Sequence, residues 1–177
     1  MEEKMNRAIV LITILFLLCT VQGGIAAGPK AGEGVNKDSR CPVCGMFVAK
    51  YPQWLAQINM SDGHAEFFDG VKDMLAYYFS PGQYGTAAGI TVEGVFVRDY
   101  YSQDWIDGQK AFFVLGSDVY GPMGHELIPF SGQPAAESFL KDHHGSKIYS
   151  FAEITPEIIE SLRKGHTMKM HSMPAKK

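Results

Sequence analysis

Between Trp54 and Asp99 the spacing of apolar residues changes from that of strands to that of a helix and back. WLAQINM (54–60) and HAEFF (64–68) are strand-like segments separated by the turn residues Ser61-Asp62-Gly63, which predicts a β-hairpin. Next, Val71, Met74, Leu75 and Tyr78 fall at i, i+3, i+4 and i+7 behind Asp69 as N-cap, and SPGQYG (80–85) ends the run, which predicts an amphipathic helix. VEGVFVRD (92–99) supplies another strand. A similar order recurs downstream: strand KAFFVLG (110–116), loop SDVYGPMGH (117–125), strand ELIPF (126–130), helix PAAESFLKDHH (134–144) closed by Gly145, and strand KIYSF (147–151). In each half a Phe-x-Gly triplet precedes the helix, at Phe68-Asp69-Gly70 and Phe130-Ser131-Gly132. The pattern predicts an α+β fold of duplicated ββαβ modules, about 41–99 and 100–165. A last helix follows, with Thr155 as cap, Pro156 at its first position, an Ile154 to Ile159 staple and Gly165 beyond its end.

The flanks read differently. Lys4 and Arg7 precede the uncharged apolar run Ala8 to Cys19, which ends near the small residues GGIAAG, so residues 1–27 read as a secretory signal peptide. The run is short for a membrane span, and Leu18 occupies the place where a lipoprotein signal carries a small residue before its cysteine; simple export is expected, with an uncleaved or lipid anchor as the lesser route to the membrane. Residues 28–40 are Gly-rich and charged, a flexible linker. Residues 166–177 have no apolar face to bury but hold His166, Met168, Met170, His171 and Met173, a disordered tail rich in metal-binding side chains.

With 16 basic and 19 acidic residues and no basic cluster beyond the terminal lysines, the chain lacks the electrostatic footprint of a nucleic-acid binder or of a protein drawn to anionic lipid. Export leaves Cys41 and Cys44 in an oxidising compartment, where a thiol pair is oxidised, metal-bound or kept reduced by a partner. A thioredoxin-type centre needs a strand before Cys-x-x-Cys and a helix after it; here a linker precedes and GMFVAKYPQW follows. A zinc ribbon needs a second ligand pair that the folded body does not offer. A disulfide staple stays open at this level. Methionine favours a soft ion, because thioether sulfur ligates Cu(I) and is a poor Zn(II) ligand. Soft or imidazole donors sit at Cys41, Cys44 and Met46, at Met123 and His125, and in the tail, whereas Met60 and Met74 fall at packing positions.

CPVCGM, FFDGVKDML, FFVLGSDVYGPMGHELIPF and the HSM of the tail together resemble the NosL family, copper-binding accessory proteins of nitrous oxide reductase. The resemblance runs from about Cys41 to the C-terminus. It implies two ββαβ modules, a fold shared with an organomercury lyase. It also implies a non-enzymatic Cu(I) metallochaperone outside the inner membrane, passing copper to the apo reductase through membrane assembly partners. Two departures stand out: no clear lipid-attachment cysteine, and Asp69 near the position where many members carry another cysteine. Cys41, Cys44, Met46, Met123 and His125 form the expected ligand pool, with the tail as an auxiliary store. Two other chemistries compete. One is a periplasmic thiol-disulfide oxidoreductase with Cys41 attacking and Cys44 resolving. The other is a lyase needing a carboxylic acid beside the thiols, for which Asp69 is the candidate.

Overall fold

The computed structural model describes residues 29–165, so the signal segment and the Met/His tail lie outside the described residues. The expected hairpin is present: β1 (Ala56–Met60) pairs antiparallel with β2 (Ala65–Phe68), Ala56 facing Phe68. After α1 (Val71–Phe79) the chain returns as β3 (Val92–Arg98) on the other side of β1. A three-residue strand, β4 (Trp105–Asp107), completes a sheet of order β2-β1-β3-β4. The downstream half builds β5 (Phe112–Gly121), β6 (Gly124–Phe130), α2 (Gln133–Asp142) and β7 (Lys147–Ser150), a second antiparallel sheet of order β6-β5-β7. Helix α3 (Pro156–Arg163) follows, with Pro156 in its first turn and Ile154 and Ile159 both buried. The fold is thus mixed helix and strand around two antiparallel sheets.

Alternation along β5 explains how the halves share a core. Phe113 and Leu115 point into the cluster that contains Ile58, Met60, Phe68, Met74, Leu75, Val95 and Val97, while Val114 between them faces Phe130, Ala136 and Phe139 beneath α2. One face of the second sheet therefore closes against α1 and the first sheet, and the other against α2. Met60 and Met74 are fully buried, as their packing positions require.

Four local expectations change. The stretch 117–125 is not a loop: β5 stays extended to Gly121, a register shift between Leu115 and Tyr120 absorbs the irregularity, with Gly116 at φ +80°, and the chain reverses at Pro122-Met123. The first sheet runs past Asp99, because β4 pairs with β3, so a division at residues 99 and 100 cuts through it. Helix α2 ends on His144 in the left-handed region (φ +55°), whereas Gly145 is needed for room, a Cβ there lying 2.7 Å from Val114 Cγ1. The expected free linker is held: Gln57 Oε1 accepts from Gly32 N (2.6 Å), Gln57 Nε2 donates to Lys30 O (3.4 Å) and Asn59 Nδ2 to Pro29 O (2.7 Å). Those two polar side chains on β1 are buried, so backbone from the linker satisfies groups that would otherwise lack partners.

The start of α1 departs most from expectation. Gly70, not Asp69, is the N-cap and supplies no side-chain acceptor. The acceptor comes from the other sheet: Glu126 Oε1 on β6 takes Lys72 N (2.6 Å) and Leu127 N (2.9 Å). Glu126 approaches so closely that a Cβ on Gly70 would overlap its Oε2. Gly70→Ala should therefore cost about 1–3 kcal/mol of unfolding free energy in urea, the usual range for overpacking. Gly82→Ala, with nothing within 4 Å of its Cβ position, should stay within about 0.5 kcal/mol of the parent. Equal stabilities of the two variants would contradict this packing.

Candidate metal centre

Residues 39–48 fold back on themselves to present the two thiols. Val48 N donates to Ser39 O (3.1 Å), Cys41 N to Met46 O (2.9 Å) and Gly45 N to Cys41 O (2.8 Å). Gly45 takes φ +78°, a turn that glycine makes without strain. Arg40 locks the loop from outside, its Nη1 donating to Gly45 O (2.8 Å) and its guanidinium stacking on Phe47 at 3.8 Å from the ring centre. No α-helix follows the motif; Val48–Lys50 and Pro52–Trp54 are single 3-10 turns.

Two carboxylates meet at the amino end of α1: Asp73 from its first turn and Asp69 from the residue just before the Gly70 cap. Cys44 Sγ donates to Asp69 Oδ1 (3.2 Å) and Cys41 Sγ to Asp73 Oδ2 (3.7 Å). One ligand atom from each of Cys41, Cys44, Asp69 and Asp73 lies within 4.8 Å of the other three. Cys41, Asp69 and Asp73 are buried and Cys44 is half-buried, so the cluster opens to solvent on the Cys44 side. Asp69 Oδ2 is buried with no hydrogen-bond partner, which is costly for a carboxylate.

The electrostatics keep the thiols protonated. Burial pushes the Cys41 thiol up to about 12, against backbone amides of Cys44 and Val43 that favour the thiolate, and Asp69 and Asp73 add to the rise. Burial also raises Cys44, with the two aspartates reinforcing the shift and the Met46 amide opposing it. Both cysteines are free. A metal that displaces the two protons meets two thiolates and two carboxylates, four anionic donors within the span of one coordination sphere.

A family model named NosL matches residues 33–159, nearly all of the body just described. The chain belongs to the NosL family. A copper-binding lipoprotein NosL from Achromobacter cycloclastes is 32% identical over 123 residues, which are 66% of this chain and 63% of the relative. A copper-binding lipoprotein NosL from Stutzerimonas stutzeri is 25% identical over 144 residues, 77% of this chain and 72% of the relative. The chain thus spans less than two thirds of the length of the Achromobacter protein. The crystal structure of the copper chaperone NosL from Shewanella denitrificans superposes with a TM-score of 0.62 at 25% identity, covering 73% of this chain and 98% of that one.

Within this NosL fold the expected ligand pool divides. Cys41 and Cys44 meet in the four-donor cluster, and His125 is not part of that cluster. Met46 is half-buried in the thiol loop, its carbonyl bonded to Cys41 N. Met123 sits 47% exposed at the β5–β6 turn, and the His125 ring lies 4.8 Å from that of Tyr120. His166, Met168, Met170, His171 and Met173 lie outside the described residues. The sequence reading took Asp69 as a helix cap and as the acid candidate beside the thiols, and missed Asp73; the Asp69-Gly70-Val71-Lys72-Asp73 spacing was the available signal.

Because both thiols are raised, metal uptake near neutral pH must expel their protons. Binding of one metal ion at pH 7 should release about two protons per chain in a weakly buffered titration, and affinity should fall as pH is lowered. Uptake with less than about half a proton released would contradict protonated thiols at rest.

Proposed function

We propose that this protein is an exported Cu(I) metallochaperone that receives the ion on Cys41 and Cys44 and passes it to a copper-dependent client. Nitrous oxide reductase, reached through membrane assembly partners, is the client that the family suggests. The observation carrying this reading is the cluster of two thiols and two carboxylates, one of whose carboxylate oxygens is buried without a partner. The names of the relatives, copper-binding lipoprotein and copper chaperone, support copper as the cargo. They also support an exported or membrane-anchored location; no helix among the described residues is long and apolar enough to cross a membrane.

The geometry suits capture and release. Cu(I) is soft and takes thiolate and thioether sulfur in low coordination numbers, so Cys41 and Cys44 with a methionine suffice. Asp69 and Asp73, already bonded to the thiols, are the acceptors through which the two protons leave. They also keep negative charge around the incoming cation. Met46, Met123 and His125 complete the pool from which ligands exchange during transfer, and the half-exposed Cys44 and Met123 give a client access. The tail histidines and methionines, tethered to the same chain, offer further copper-binding groups that raise the local copper concentration.

The thiol-disulfide oxidoreductase reading loses support, because an attacking Cys41 needs a lowered pKa and burial moves it the opposite way. The Cys44–Asp69 pair meets the stated demand of the lyase reading, and release of hydrocarbon from an alkylmercury by the reduced protein would favour that chemistry instead.

Anaerobic titration against a chromophoric Cu(I) chelator tests the proposal. Reduced protein should hold one Cu(I) and prefer it to Zn(II), and the double change Cys41→Ser, Cys44→Ser should weaken binding by about 100-fold or more, exceeding a typical loss from groups that only support a ligand. Oxidation of the pair to a disulfide should abolish binding reversibly. Equal retention of zinc, or parent affinity after oxidation, would overturn the reading.

A further inference from the structure

The first turn of α1 carries a third group between the two site carboxylates. Lys72 is only 4% exposed, and its Nζ donates to Met123 O (2.7 Å) and His125 O (2.9 Å). Its own N–H is the one accepted by Glu126 Oε1, so the same residue is held from β6 by its backbone and holds the start of β6 by its side chain. An ammonium shared by two carbonyls two residues apart fixes both the position and the rotation of the turn between them. Beyond the register shift after Leu115, the hairpin tip is joined only through the pairs Tyr120↔His125 and Gly121↔Gly124. A tip with so few ladder partners frays unless something outside the hairpin fixes it.

We infer that Lys72 is a positioning residue which, with Glu126, clasps the Met123–His125 turn to the first turn of α1 and so presents the Met123 thioether to copper held by Cys41 and Cys44. This rests on the Cu(I) ligation proposed above. The clasp links three things in a few residues: Asp69 and Asp73 bonded to the thiols, Lys72 lying between them in sequence, and the methionine turn at the far end of its side chain. It also explains how a methionine on an exposed hairpin tip acquires a defined place relative to a site built by another sheet. A lysine that only stabilised the contact between the halves would lower stability without caring which residue occupies position 123.

A double-mutant cycle separates the two roles, with Cu(I) affinity read by chelator competition in the full mature chain. Lys72→Met keeps the stem and removes the ammonium. It should weaken Cu(I) by about tenfold in the parent and by less than about twofold when Met123→Leu is already present, the loss expected for partners in one unit. The Cu(I)-induced shift of the Met123 methyl resonance should disappear in Lys72→Met. If that variant does not fold, Lys72→Gln, which keeps a shorter donor, should show the same dependence on position 123. Equal losses in both backgrounds, with the methyl shift retained, would overturn the clasp while leaving copper ligation standing. A parent that binds no Cu(I), or a Met123→Leu variant with parent affinity, would withdraw the ligand assignment and the clasp with it.

Discussion

The structure turns on how the amino end of α1 is satisfied. A helix start exposes backbone N–H groups, and burying one without an acceptor costs about 1–3 kcal/mol. Here Gly70 has no side chain to offer, and the acceptor for Lys72 N is Glu126, which arrives from the second sheet. Burial pushes Glu126 up to about 8, against the opposing pull of Lys72 and of the amides it receives. That one carboxyl therefore does for the helix what a local Asp or Ser does elsewhere, and it locks the second half of the chain to the first. With the cap supplied from a distance, Asp69 is released from capping and turns to Cys44 instead.

This arrangement gives the site its chemical character. The thiols come from a self-contained loop that a positive-φ glycine closes, and the carboxylates come from the first turn of α1 and the residue just before its cap, where another sheet fixes the helix start. Neither segment builds the cluster alone. Burial keeps the cysteines protonated and unreactive until a thiophilic cation arrives. Under the proposed copper binding, the cost of holding two thiols beside two carboxylates would fall as the cation enters, so the ion and the folded site would stabilise one another. Cys44 is half-buried, so the cluster is open on one side, as the proposed carrier role requires and a closed structural site does not.

Much of the fold was legible in the sequence because local signals agreed with tertiary packing. The Ser61-Asp62-Gly63 turn, the i, i+3, i+4, i+7 stripe of α1 and the Pro156 start of α3 are written in neighbouring residues. What escaped depends on distant ones. β4 is three residues long and exists only because β3 offers it an edge. The linker is held because Gln57 and Asn59 need partners, a demand seen only once β1 is buried. Asp69 looked like a cap because nothing local reveals Glu126, 57 residues away, taking that role. The thiols were recognisable from spacing alone and Asp69 was named as an acid beside them, whereas Asp73 became a site residue only through the fold.

The central claim is that copper sits on sulfur from both halves of the molecule. X-ray absorption at the copper edge of the anaerobically loaded mature protein measures this directly. The account expects Cu(I) with a first shell dominated by sulfur, two scatterers from Cys41 and Cys44 and a further one that is lost in Met123→Leu. A shell of oxygen and nitrogen alone, or one unchanged when both cysteines are replaced by serine, would contradict it.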